Sequence, residues 1–275
     1  MNASQVPGAM TQLRSVFSQV KRESPILYSI VMLHLLVALI CIPAMFIDDR
    51  MLLGISVWTK PFKFLISGAI YIFTVGYFIS LYPYSNRKKS VLRNIVAWSF
   101  LIEIGIIVFQ GARGVTSHFN QGSLLDGMLF ATMGIIIAIN VLLMFLFLVD
   151  AIRLKLNVDR EMKWAIIMGW IILIIGSWIG GQMISELSHT VGAADGGPGL
   201  PLINWSTIAG DLRIAHFFGL HGLQIIPIFA YGVSKYWNTN VSNKLIAIVA
   251  FASLYTSWIA YTFYQAKQGI ALLQV

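Results

Sequence analysis

Apolar stretches of about 20 residues recur along the chain between polar breaks, the length an α-helix needs to cross a bilayer core of about 30 Å. They fall at 26–47, 63–82, 92–112, 125–149, 163–184, 212–234 and 245–266. The pattern predicts an all-α, polytopic integral membrane protein, a seven-transmembrane-helix bundle. Residues 1–25 are polar with scattered bases, which predicts an N-terminal tail. They hold no short apolar segment of the kind that precedes signal cleavage, so no cleavable signal peptide is expected. The remainder, 26–275, reads as a single membrane domain.

The breaks carry information of their own. Asp48–Pro61 is too short to span and is expected to form a brief interfacial helix or re-entrant turn. Pro61 suits the first turn of the following helix, where a missing N–H costs nothing. The longest break, 185–211, contains Gly196-Gly197-Pro198-Gly199-Leu200-Pro201 and then Asn204-Trp205-Ser206. That turn chemistry with a large aromatic predicts a packed loop-lid rather than a loose linker. No internal repeat is evident, and seven spans do not divide into equal inverted halves.

Composition agrees with lipid as the solvent. Of 275 residues, 57% are hydrophobic and only 11% charged, against about 25% charged in ordinary soluble domains. The single cysteine, Cys41, has no partner for an internal disulfide. The net charge of +8 is distributed by side. With the N-terminus inside, Arg14, Lys21, Arg22, Arg87, Lys88, Lys89, Arg93, Arg153, Lys155, Arg160, Lys163, Lys235 and Lys244 all fall on the inner side. The positive-inside rule then predicts an N-in, C-out protein of the inner (plasma) membrane, with 185–211 on the outer face. The bases report topology and contact with the lipid bilayer, not nucleic-acid binding.

Polar residues inside apolar segments cost free energy unless they face protein or water, so they mark candidate sites. Glu103 and Gln110 are seven apart in the third span and lie within about 20° on one helix face. Arg113, His118 and Asn120 follow, and Asp126 opens the fourth span. Gln182, Glu186 and His189 are spaced four and three, and Asp211, Arg213 and His216 open the sixth span. Arg113, His118, Asp126, Glu186, His189, Arg213 and His216 are expected to gather in one pocket at the outer face. Glu103, Glu186 and Asp211 are the candidate acids for catalysis. Gln110, Arg113, His118, Asn120, Asp126, Gln182, Arg213 and Gln224 are the candidate ligand-binding residues for a small molecule or ion.

His34, Glu103 and His221 fall near one depth, about 12 to 16 Å from the inner edge at 1.5 Å per residue. Imidazoles on facing helices can hold a haem b or, with a carboxylate, a divalent metal. His34, His221, His216 and His189 are the candidate metal or haem ligands. His216 and His221 are five apart and project about 140° from each other, so they do not chelate one ion from a single helix face. Seven-span zinc hydrolases of the alkaline-ceramidase type carry a His-x-x-x-His pair that this spacing does not reproduce. The last span also lacks the central lysine of microbial rhodopsins, since Lys267 stands at its end. The expected function is a haem- or metal-centred redox or hydrolytic membrane protein. The alternatives are a proton-coupled carrier, and a receptor or structural partner without catalysis.

Overall fold

The computed structural model describes residues 9–273. Seven helices long and apolar enough to cross a membrane run through them. They are α2 (Pro25–Ile47), α3 (Thr59–Leu81), α4 (Asn86–Arg113), α5 (Leu124–Arg153), α6 (Arg160–Glu186), α7 (Leu212–Tyr236) and α8 (Val241–Lys267). Each matches one apolar stretch and begins at or before its start, and in four of them a side-chain cap satisfies a terminal N–H group. Ser85 accepts from Lys88 N, Ser123 from Asp126 N, Asn240 from Asn243 N and Asp211 from Arg213 N. The protein is thus an all-α multi-pass membrane bundle.

Two polar segments differ from expectation. The N-terminal tail contains a helix, α1 (Ala9–Glu23), whose Val20 is fully buried. Valines at 16 and 20 and the phenylalanine at 17 make one apolar face that the bundle partly covers, and that face drives the helix. The break after α2 is a hairpin, not a helix: β1 (Met51–Leu52) pairs antiparallel with β2 (Ile55–Ser56). Leu53 and Gly54 both have positive φ, 51° and 80°, as a two-residue hairpin turn between right-twisted strands requires.

The two largest parts of the core share α6. One is built around Trp170, Phe147 and Tyr82, all at most 1% exposed. Trp170 Nε1 donates to the Tyr82 hydroxyl at 3.1 Å, and that hydroxyl donates to Phe147 O at 2.8 Å, so both polar handles are satisfied in the apolar interior. The other part lies among α6, α7 and α8. Here the backbones meet: a Cβ on Gly176 would stand 2.6 Å from Gly219 C, and one on Gly219 would stand 2.4 Å from Gly176 Cα. Among membrane helices, association comes from close packing rather than from expulsion of water, so this contact fixes the α6–α7 pair.

One end of the bundle is capped. Residues 187–211 return to the helices through β3 (Thr190–Val191) and β4 (Gly210–Asp211), which pair antiparallel. Within the cap, Leu200 N donates to Trp205 O at 2.8 Å and Thr207 N to Pro198 O at 3.1 Å. Trp205 packs its ring against Phe217 and Phe218 of α7. Asn204 Nδ2 donates to Leu53 O at 3.3 Å, joining the cap to the β1–β2 hairpin.

Candidate functional site

The capped end brings together side chains from three separate segments. Lys60, in the first turn of α3, points its ammonium at Nδ1 of His118, 3.2 Å away, in the loop after α4. Ser117 Oγ stands 3.1 Å from the same nitrogen. With Lys60 as the ammonium, which only donates, Nδ1 of His118 accepts and the neutral imidazole carries its proton on Nε2. Burial holds the His118 pKa well below the usual 6.5, and the nearby charge of Lys60 pushes it the same way. Phe64 of α3 and Phe119 flank the ring at centroid distances of 5.8 and 6.1 Å.

The cap supplies the second part. His189 Nδ1 meets Asp195 Oδ2 at 2.5 Å. A carboxylate only accepts, so Nδ1 of His189 carries the proton and Nε2 is left to act as a base. Asp195 also accepts from His189 N, Thr190 N, Thr190 Oγ1 and Ser188 Oγ. Burial opposes ionisation of Asp195, but the hydrogen bonds from His189 and Thr190 outweigh it and hold the carboxyl well below its usual range. Phe119 spans the gap between the parts, its ring 5.0 Å from that of His189.

Two further groups extend the cluster along the helices. Lys60 is within electrostatic reach of Glu103 on α4 and of Asp195 in the cap. Glu103 is half-buried, and its Oε2 is enclosed without a hydrogen-bond partner. His216 of α7 donates from Nδ1 to Gly176 O at 2.8 Å, which fixes its tautomer and leaves Nε2 unprotonated. Lys60, Glu103, His118, His189, Asp195 and His216 are therefore linked to one another by contact or electrostatic reach.

No protein-family model, curated protein or solved structure matches the chain. The site therefore rests on its own geometry.

The single pocket read from the sequence divides into separate networks. Gln110, Arg113 and Asp126 bind one another. Arg113 Nη1 donates to Asp126 Oδ1 at 2.6 Å and to Gln110 Oε1 at 2.5 Å, and Gln110 Nε2 donates to Asp126 Oδ1 at 2.9 Å. Together with Ser123 they tie α4 to the start of α5. Asn120 builds the intervening loop, donating to Thr116 O and accepting from Gly122 N. Asp211 is 1% exposed and is held by Arg213 and by Ser206 N, while Arg213 also reaches Asn204 O. This pair fastens the cap to α7. Glu186 pairs with Lys267 of α8 on the exposed rim, and the carbonyl of half-buried Gln182 accepts from Ser185 Oγ.

The mid-membrane residues do not form a ligand set. His34 is 3% exposed and lies against Gly68 of α3 and close to Ile104 of α4, which also meets Gly68. Neither ring nitrogen has a hydrogen-bond partner. His221 packs on Phe217 of its own helix at a centroid distance of 4.5 Å and sits beside Gln224. Gln224 Nε2 donates across to Thr74 of α3 at 3.1 Å. The main contacts of α2 are with α3 and α4, and those of α7 are with α6 and α8, so His34 and His221 are not on facing helices. Among the described residues, no three His, Cys, Asp or Glu side chains are grouped to hold a metal ion. The donor geometry thus gives the haem b or divalent-metal expectation no support.

Sequence reasoning passed over Lys60 and Asp195 as site residues. The signal for Lys60 was present: a base one residue before Pro61 falls in the first turn of the helix that Pro61 helps to open. Asp195 was hidden because its partner, His189, precedes it across a turn.

Proposed function

We propose that the protein is a membrane-embedded proton-exchange protein, a proton-coupled carrier whose relay centre is the Lys60–His118 pair. The observation that carries this reading is the 3.2 Å contact between an ammonium and a neutral imidazole at the capped end of a membrane bundle. Transfer of one proton from Lys60 Nζ to His118 Nδ1 converts ammonium plus imidazole into amine plus imidazolium, with charge conserved. Glu103 on the membrane side and the His189–Asp195 dyad on the cap side offer the next acceptors in either direction. Intramembrane acids and histidines commonly serve in such relays. The distribution of bases supports a plasma-membrane protein with its N-terminus and α1 inside and the cap outside.

A second reading rests on the His189–Asp195 dyad alone. A histidine oriented by a carboxylate is the general-base half of many hydrolytic sites, and on this reading the cap would close over a lipid-derived substrate.

The test is reconstitution into vesicles that enclose a pH-sensitive dye. An imposed pH gradient should collapse faster with the protein than without it, and Glu103→Gln should slow the collapse by about tenfold or more, the scale of losing one positioned proton-transfer group. Equal rates for protein-loaded and empty vesicles would remove the carrier reading.

A further inference from the structure

Helix α1 lies along the last turns of α3. The rings of Phe17 and Phe73 pack at a tilt with a centroid distance of 4.5 Å, Gln19 Nε2 donates to Ser80 Oγ at 2.8 Å, and Ser24 Oγ donates to Gly76 O at 2.9 Å. At its other end, Gln12 Oε1 accepts from Lys235 Nζ near the end of α7. Only Ser24 separates α1 from the membrane span α2. The helix is therefore pinned across the bundle at the end where α3 and α7 finish.

One flank of its exposed side is apolar. Met10, Leu13 and Phe17 are 67%, 56% and 41% exposed and lie within about 60° of one another around the helix. Arg14 and Lys21 lie beside this stripe, within about 40° of Met10, and Arg22 follows. All three bases are exposed. The one acid of the helix, Glu23, is half-buried on the bundle side, where it meets Arg22 at 3.3 Å while that arginine side chain remains 76% exposed. An apolar stripe bordered by bases at the acyl–headgroup boundary matches the charge and polarity of an anionic lipid surface.

We propose that α1 is a lipid-recognition helix, in which Arg14, Lys21 and Arg22 bind anionic headgroups while Met10, Leu13 and Phe17 rest in the acyl boundary. The apolar side chains set the depth, and the bases select the lipid. A full-length chain carrying Cys41→Ala and Leu13→Cys, labelled with an environment-sensitive fluorophore, tests this in phosphatidylcholine vesicles. Nitroxide-labelled phosphatidylglycerol or nitroxide-labelled phosphatidylcholine is added at one fixed fraction. Both should quench the label, the phosphatidylglycerol by about twofold or more at low salt. The preference should vanish in the Arg14→Gln, Lys21→Gln, Arg22→Gln chain and, without any further substitution, at high salt. Absence of quenching by either lipid, as when the face is in water or covered by a second copy, would overturn the proposal. Equal quenching by the two lipids at low salt would overturn it as well.

Discussion

Lys60 and His118 are 58 residues apart in sequence, yet Lys60 Nζ lies 3.2 Å from His118 Nδ1. The contact joins the first turn of α3 to the loop after α4 and keeps a neutral imidazole against a cation. Burial has already lowered the proton affinity of His118, and the ammonium lowers it further.

This pairing gives stability a defined pH dependence. The folded-state pKa of His118 lies well below its unfolded value of about 6.5, so between the two the unfolded chain binds more protons. The contribution of His118 is fully present above about pH 6.5 and is lost as the pH falls toward the folded pKa. Thermal unfolding of detergent-purified protein should drop as the pH is lowered from 7 to 5, and His118→Gln should flatten that slope. A slope of the same size in the variant would assign the dependence to other groups.

Asp211 fastens the cap at the mouth of α7. Asp211→Ala leaves the Arg213 guanidinium without its carboxylate and Ser206 N without an acceptor. The expected cost is about 3 kcal/mol, typical of breaking one side of a buried pair. Limited proteolysis should then cut within 192–205 before it cuts elsewhere. Protection equal to that of the unsubstituted protein would mean that Trp205 and the β3–β4 pairing hold the cap without this pair.

The Gly176–Gly219 contact leaves no room for a side chain, since an added Cβ at 176 falls 2.6 Å from backbone. Gly176→Val should force α6 and α7 apart, lower stability by about 1–3 kcal/mol and displace the carbonyl that orients His216. Gly181→Ala, at a position with open space around it, is the control. Equal melting temperatures for these two variants would contradict the close packing.

His34 is buried with both ring nitrogens unpaired. Burying such a group costs about 1–3 kcal/mol, so His34→Leu should raise the melting temperature. A lower melting temperature would show that the ring gains more from its surroundings than its geometry provides.

The fold was legible because each span announces itself by length and hydropathy, and the cap by its Gly and Pro turn chemistry. The α1 helix was not, because its apolar face is half a stripe that only the last turns of α3 complete. His118, His189 and His216 could be singled out as costly polar groups near one membrane end, and Glu103 as one deeper in its span. Their grouping could not, since helix order is set by contacts such as Gly176–Gly219 that leave no periodic trace. Arg113 and Asp126 looked like site residues for the same reason of cost, and that cost is instead offset by their mutual hydrogen bonds. His34 and His221 shared a depth, but depth alone carries no information about which helices face each other.

The most direct test of the relay is a double-mutant cycle on Lys60 and His118 in vesicles under an imposed pH gradient. Lys60→Met and His118→Gln should each slow proton movement, and the two together should be no slower than the worse of them, because they act in one path. Rates that fall independently and multiply, or that stay at the unsubstituted value in both single variants, would contradict the account.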